Sequence, residues 1–82
     1  MELFIFTDNI SANVYLSGTT KILCDLEPNS NDRVYLQEER PSGEYETVGD
    51  WGVLKERNAL FSLLGNYRVI RSNSNIIVAY EN

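Results

Sequence analysis

Carboxylates are the only potentially reactive side chains this sequence carries in number. Glu44 and Glu46 stand two residues apart, so an extended strand would put both on one face. Two carboxylates across a cleft are the working parts of a glycosidase. Here the flanking turn residues place them on a hydrated hairpin edge, where charge discourages unwanted sheet pairing. Asp25, Glu27, Asn29, Asn31 and Asp32 set oxygen ligands at near-alternate positions, which hints at calcium. The loop register fails: Pro28 interrupts it, Ser30 stands where glycine belongs, and Leu36 replaces the bidentate glutamate. An ordinary polar loop is the expectation. The chain has no histidine and a single cysteine, so the common nucleophile–base pairs, a structural zinc site and an internal disulfide all lack their parts. Cys24, within Ile22-Leu23-Cys24-Asp25-Leu26, reads as a small buried hydrophobe. No enzymatic activity, cofactor or metal is expected.

The chain has 82 residues and reads as one domain spanning 1–82. A hydrophobic share of 43% excludes wholesale disorder. A core of this size supplies only about 3–5 kcal/mol without added support. With disulfides and metals excluded, oligomerisation or docking on a larger assembly is the expected support. Twelve acids against seven bases give a net charge of −5. No basic patch is visible, so neither nucleic acid nor an anionic membrane surface is an expected partner. No apolar run of about 18 residues is present, so no membrane span is predicted. Met1-Glu2 opens without a basic segment, which predicts no secretory signal.

The elements that position these residues read as short strands. The segment that organises them is Leu63-Leu64-Gly65-Asn66-Tyr67-Arg68-Val69-Ile70-Arg71. Gly65 reads as the last turn before a central strand, with Tyr67 and Val69 facing in. A tyrosine at such a corner buries its ring and returns its hydroxyl to nearby backbone. Before it come a Leu3–Phe6 strand, a strand over 13–16, a turn at Ser17-Gly18-Thr19-Thr20, and a strand over 21–26 with Ile22, Cys24 and Leu26 on one face. Residues 33–38 and 44–48 form a hairpin across Pro41-Ser42-Gly43, with Val34 and Leu36 inward and Tyr35 and Gln37 outward. Residues 53–64 fit a short helix, with Lys55 on its polar side, or a turn at Asn58 followed by a strand; the strand is preferred. A Ser72-Asn73-Ser74-Asn75 link joins the last two strands as a second hairpin. The predicted fold is all-β: a single Ig-like antiparallel β-sandwich of about seven or eight short strands.

Candidate contact residues follow from this layout. Leu3-Phe4-Ile5-Phe6, within residues 1–7, reads as an internal strand or as an arm that docks on a neighbouring subunit. Tyr35, Tyr45 and Trp51 are predicted to gather around the 38–44 turn as an aromatic patch rimmed by acids, with Trp51 either capping the core or exposed as an anchor. Arg68 and Arg71 would pair with acids, within the chain or on a neighbour.

From residue 33 onward the order of signals resembles small virion proteins of tailed bacteriophages. The residues that carry it are Val34-Tyr35-Leu36-Gln37, Ser42-Gly43-Glu44-Tyr45, Val48, Leu60-Phe61-Ser62-Leu63 and Gly65-Asn66-Tyr67-Arg68-Val69. In that family a strand ending near Leu-Gln meets a turn of the form Asp-Gly-x-aromatic, and a later strand leads into Gly-x-Tyr-Arg-Val. This chain departs from it at Ser42, where aspartate is the family residue, and in a longer insertion carrying Trp51. The resemblance implies a capsid-decoration, head-fibre or tail-associated component, located in the virion after assembly in the host cytoplasm, and working as a homo-oligomer through protein contacts. Two other functions fit the composition. One is an acidic inhibitor of a host nucleic-acid-binding protein, with Glu38, Glu39, Glu44, Glu46 and Asp50 as its face. The other is a glycan-binding module on Tyr35, Tyr45 and Trp51.

Overall fold

The computed structural model describes residues 1–27, 29–54 and 56–82. Pro28 of the polar loop and Lys55 of the ambiguous 53–64 segment lie outside the described residues. The elements are β1 (Glu2–Leu3), β2 (Phe6–Thr7), β3 (Ile10–Ser11), β4 (Val14–Cys24), β5 (Val34–Glu39), β6 (Tyr45–Asp50), α1 (Trp51–Leu54), β7 (Asn58–Arg71) and β8 (Val78–Glu81). The all-β, antiparallel expectation holds, and the ambiguous segment divides into the one-turn α1 and the start of β7.

The strands belong to one hydrogen-bonded sheet. A sandwich of two separate sheets was expected, because Ser17-Gly18-Thr19-Thr20 and Gly65 read as turns that end strands. Both lie inside long strands instead. β4 and β7 pair without interruption from Val14↔Tyr67 to Leu23↔Asn58, with Leu16 opposite Gly65 and Gly18 opposite Leu63. The two glycines have φ of +89° and +143°, so the chain bends there without leaving the ladder. The β4–β7 pair carries β8 and then β1 on the outer edge of β4, at residues 21–24. It carries β5 and then β6 on the outer edge of β7, at residues 67–71. β3 continues the line of β4 beside Ile70, and β2 pairs with it across the Asp8-Asn9 turn.

The second predicted hairpin is not formed. Residues 72–75 do turn, with the Ile76 N–H on the Asn73 carbonyl. But β5 and β3 already occupy the two edges of β7 before that turn, so β8 crosses to β4 and β1. The 33–48 hairpin forms as expected, with a register shift after Leu36 that leaves Val48 as an extra residue in β6.

Alternation decides the core. Leu16, Ile22 and Cys24 of β4, Leu63, Tyr67 and Val69 of β7, Val34 and Leu36 of β5, and Val78 of β8 all point to the inner face of the curl and are buried. Phe4, Trp51 and Ile76 close the ends of the same cluster. The predicted inward faces of β4, β5 and β7 are therefore correct.

Between its two wider parts the sheet narrows to β4 and β7 alone, and side chains serve the open backbone there. On the β4 edge, beyond the last β8 pair at Lys21↔Glu81, the Asn82 amide donates to the carbonyls of Ser17 and Thr19 and to Thr20 Oγ1. On the β7 edge, beyond the last β5 pair at Glu38↔Tyr67, the Leu64 N–H goes to Tyr67 Oη at 3.2 Å. Where β3 gives way to β4, Ser11 Oγ accepts the Val69 N–H at 2.7 Å. Each contact satisfies a backbone group that the ladder leaves open.

Candidate functional site

Two-residue periodicity on a curled sheet sorts the predicted contact residues into inside and outside. Trp51 goes inside. It is 1% exposed, packs on Phe61 with ring centroids 5.8 Å apart, and is part of the core. The predicted patch of Tyr35, Tyr45 and Trp51 is thereby corrected: α1 turns the indole under the sheet, and only the two tyrosines stay on the outer face. Of the two placements read for Trp51, capping the core is the observed one.

The N-terminal segment is not a free arm. Leu3 pairs with Ala79, the Phe4 N–H bonds to the Val78 carbonyl at 3.0 Å, and the Phe4 ring is buried 4.8 Å from that of Tyr80. Leu3 and Ile5 point outward and are exposed, while Phe6 lies under the Arg71 guanidinium at 3.8 Å. Of the two readings, an internal strand or a docking arm, neither describes it within this chain: the segment lies at a sheet edge, where only one face meets the core.

Among the described residues Arg68 and Arg71 find no carboxylate. Arg68 Nε donates to Gln37 Oε1 at 2.9 Å, and its guanidinium lies 3.4 Å over the ring of Tyr45. Tyr45 exchanges hydrogen bonds with Asn13. Arg71 donates to the carbonyls of Ile76 and Asp8, both at 2.8 Å. These arginines tie loops and strands of their own chain together.

Tyr67 behaves as the sequence predicts and Gly65 does not. The Tyr67 ring is buried, and its hydroxyl takes the Leu64 N–H and donates to Glu38 Oε2 at 3.1 Å. Burial, helped by the neighbouring Glu38 carboxylate and opposed by the Leu64 N–H and Arg40, raises the phenol above its ordinary value. Gly65 is a bend within β7 rather than a turn before it.

The carboxylates proposed as an acidic face are largely committed. Arg40 pairs with Glu38 at 3.1 Å and also with Glu46. Asp50 Oδ1 accepts the Gly52 N–H at 2.9 Å. In the polar loop, Asp25 and Glu27 take Arg57, while Asp32 accepts from Ser30 and Ser72. Among the described residues no cluster of three acidic or cysteine side chains is placed to hold a metal ion. Cys24 is buried, and desolvation, with the nearby Asp25 charge, pushes its thiol up to about 12.

The outer face holds side chains that sequence reasoning missed. Tyr15 of β4 and Leu60 and Leu64 of β7 are exposed, with Leu60 at 69% and Leu64 at 70%. Leu60 faces Lys21 across the ladder and Leu64 faces Ser17. Leu3 and Ile77 extend the apolar outer surface at the β1–β8 side. The signal was the strand parity set by Tyr67: counting back by twos through Gly65 puts Leu64 and Leu60 outside. Placing a turn at Gly65 lost that count.

Comparisons with protein-family models, with curated proteins and with solved structures find no match.

Proposed function

We propose that this chain is a non-enzymatic structural module that works by packing, in many copies, into a larger protein assembly of the kind tailed-phage virions build. The observation that carries the reading is the outer face of β4 and β7, where Tyr15 and Leu64 stand exposed on successive rungs and Leu60 is exposed two rungs further along, beyond Ser62. Large apolar side chains left exposed on one face of a sheet are candidates for protein contact. The phage setting rests on the resemblance alone. Its two most specific elements, Leu36-Gln37 and Gly65-x-Tyr67-Arg68, lie on adjacent strands and meet through the Gln37–Arg68 hydrogen bond.

The acidic-inhibitor reading is less well supported, since Arg40 offsets Glu38 and Glu46. The glycan reading loses Trp51 to the core. Light scattering on the purified chain tests the assembly reading: a defined oligomer is expected, reduced to monomer by Leu60→Glu with Leu64→Glu. A wild-type monomer at all concentrations would count against it. Stoichiometric presence in purified particles, counted by mass spectrometry, tests the virion setting separately.

A further inference from the structure

An open sheet edge is a template for another strand, and folded chains guard such edges with short strands, charges and bulges. Most edges of this sheet are guarded. β1, β2 and β3 are two residues long. β6 carries Glu46 and Asp50 and the extra residue Val48. The β4 edge is occupied at Ser17 and Thr19 by the Asn82 amide. The exception is β7 beyond its last β5 pair, Glu38↔Tyr67. Alternation decides which of its backbone groups lie open. The N–H groups of Val69 and Arg71 go to Ser11 and Asn9, on the β4 side. Those of Leu64 and Ser72 go to Tyr67 and Arg33, on the other side. Even-numbered residues of β7 therefore turn their N–H and C=O away from β4. Tyr67 takes the Leu64 N–H. The N–H and C=O of Leu60 and Ser62, and the C=O of Leu64, have no partner among the described residues.

No guarding device protects this stretch. Asn58 to Tyr67 holds no charged residue and no proline, and it pairs with β4 without a bulge. Leu60 and Leu64 are exposed beside the open groups, with Ser62 midway between them. The order Leu60, Ser62, Leu64 is the same in both directions, as a contact between identical surfaces about a two-fold axis requires. We propose that a second copy of this chain adds its own 60–64 segment antiparallel to this edge, about a two-fold axis at Ser62. The Ser62 residues of the two copies then exchange N–H···O=C bonds, and the Leu60 N–H of each copy reaches the Leu64 carbonyl of the other. The Leu64 N–H stays on Tyr67. On the outer face Leu60 of one copy lies opposite Leu64 of the other, as an apolar cross-strand pair. The pairing ends before Gly65, where the Glu38 carboxylate already stands at the edge. Charge favours this place for a self-contact. A chain of net charge −5 meets its copy here along an uncharged strip, with no like charges directly opposite. The proposal deepens the assembly reading and rests on it, since it supplies one contact between copies.

Light scattering and residue-resolved amide hydrogen exchange on the full chain, across a range of protein concentrations, test it. Association should grow with concentration, and exchange at the Leu60 and Ser62 amides should slow in step with it. The Leu64 amide, held by Tyr67 within one copy, should be slow throughout. Ser62→Pro removes an N–H that points away from β4 and so leaves the β4–β7 ladder its own bonds. It should weaken association about tenfold or more. Ser62→Ala keeps the N–H and should associate like the wild type. If Ser62→Pro does not fold, exchange in the wild type decides alone. An oligomer whose Leu60 and Ser62 amides exchange freely, or unchanged association in a folded Ser62→Pro, would overturn the edge pairing and leave the assembly reading to the outer face. A wild-type chain that stays monomeric at every concentration would overturn both.

Discussion

The hydroxyl of Tyr67 closes the edge of β7 at the point where β5 stops, accepting from Leu64 and donating to Glu38. Removing that oxygen leaves the Leu64 N–H to water that reaches it only in part. Tyr67→Phe should therefore destabilise the fold by about 1–2 kcal/mol, read as a lower urea midpoint with unchanged slope. Cys24 supplies a second residue-scale test. Its thiol ionises near 9 when exposed and is held protonated to about 12 in the fold. The folded state therefore keeps a proton that the unfolded state releases. The associated stability is complete below pH 9 and is lost as pH rises from 9 toward 12. Tyr67 is shifted in the same direction and adds to the loss above its ordinary value of 10. Urea unfolding across this range should show falling stability, with a shallower decline in Cys24→Ala. Alkylation of Cys24 by iodoacetamide at pH 8 should require denaturant.

At the scale of elements, the fold depends on two long strands that bend without breaking. Gly65 has φ of +143°, and no other residue adopts that conformation cheaply. Gly65→Ala should cost about 1–3 kcal/mol in thermal or urea unfolding, although its Cβ would meet nothing closer than 3.5 Å. The cost is backbone strain, not collision, so Gly65→Ser should be no worse. β1 contributes through Phe4. Phe4→Ala should cost about 3–5 kcal/mol, a large share of what a chain this size has, while Leu3→Ser and Ile5→Ser should lie within about 0.5 kcal/mol of wild type. Such bends mark the limit of what the sequence made legible. Inward and outward residues of β5, the 33–48 hairpin, the burial of Cys24 and the hydroxyl bond of Tyr67 follow from local rules of alternation and turn chemistry. Gly18 and Gly65 were misread because a glycine with positive φ has the same sequence signature in a turn and in a bent strand. The partner of β8 was misread because pairing is decided by which edges remain open, a property of the assembled sheet. The open edge of β7 beyond the Glu38 pair arises in the same way, and no local pattern shows it.

Across the whole molecule, two opposing surface properties would set how copies meet in the proposed assembly. The net charge of −5 repels like chains, and on the proposed reading the exposed apolar side chains on β4 and β7 would draw them together. The charge acts over a Debye length of about 10 Å at 0.1 M salt and about 3 Å at 1 M, whereas apolar burial is not screened. Raising sodium chloride from about 0.1 M to 1 M should therefore increase the mass seen by light scattering at fixed protein concentration. An interface held by ion pairs would respond in the opposite direction, and a falling mass would rule out the apolar face as the contact. Leu60→Glu separates the face from charge in general. Across the ladder it meets Lys21, a favourable pairing, so the monomer should keep its stability to within about 0.5 kcal/mol. Yet the new carboxylate sits within the proposed contact, where a second copy would bury it. The variant should stay monomeric at every salt concentration. Salt-driven association that persists in it would place the contact elsewhere, with the exposed Leu3, Ile5 and Ile77 at the β1–β8 side as the next surface to alter.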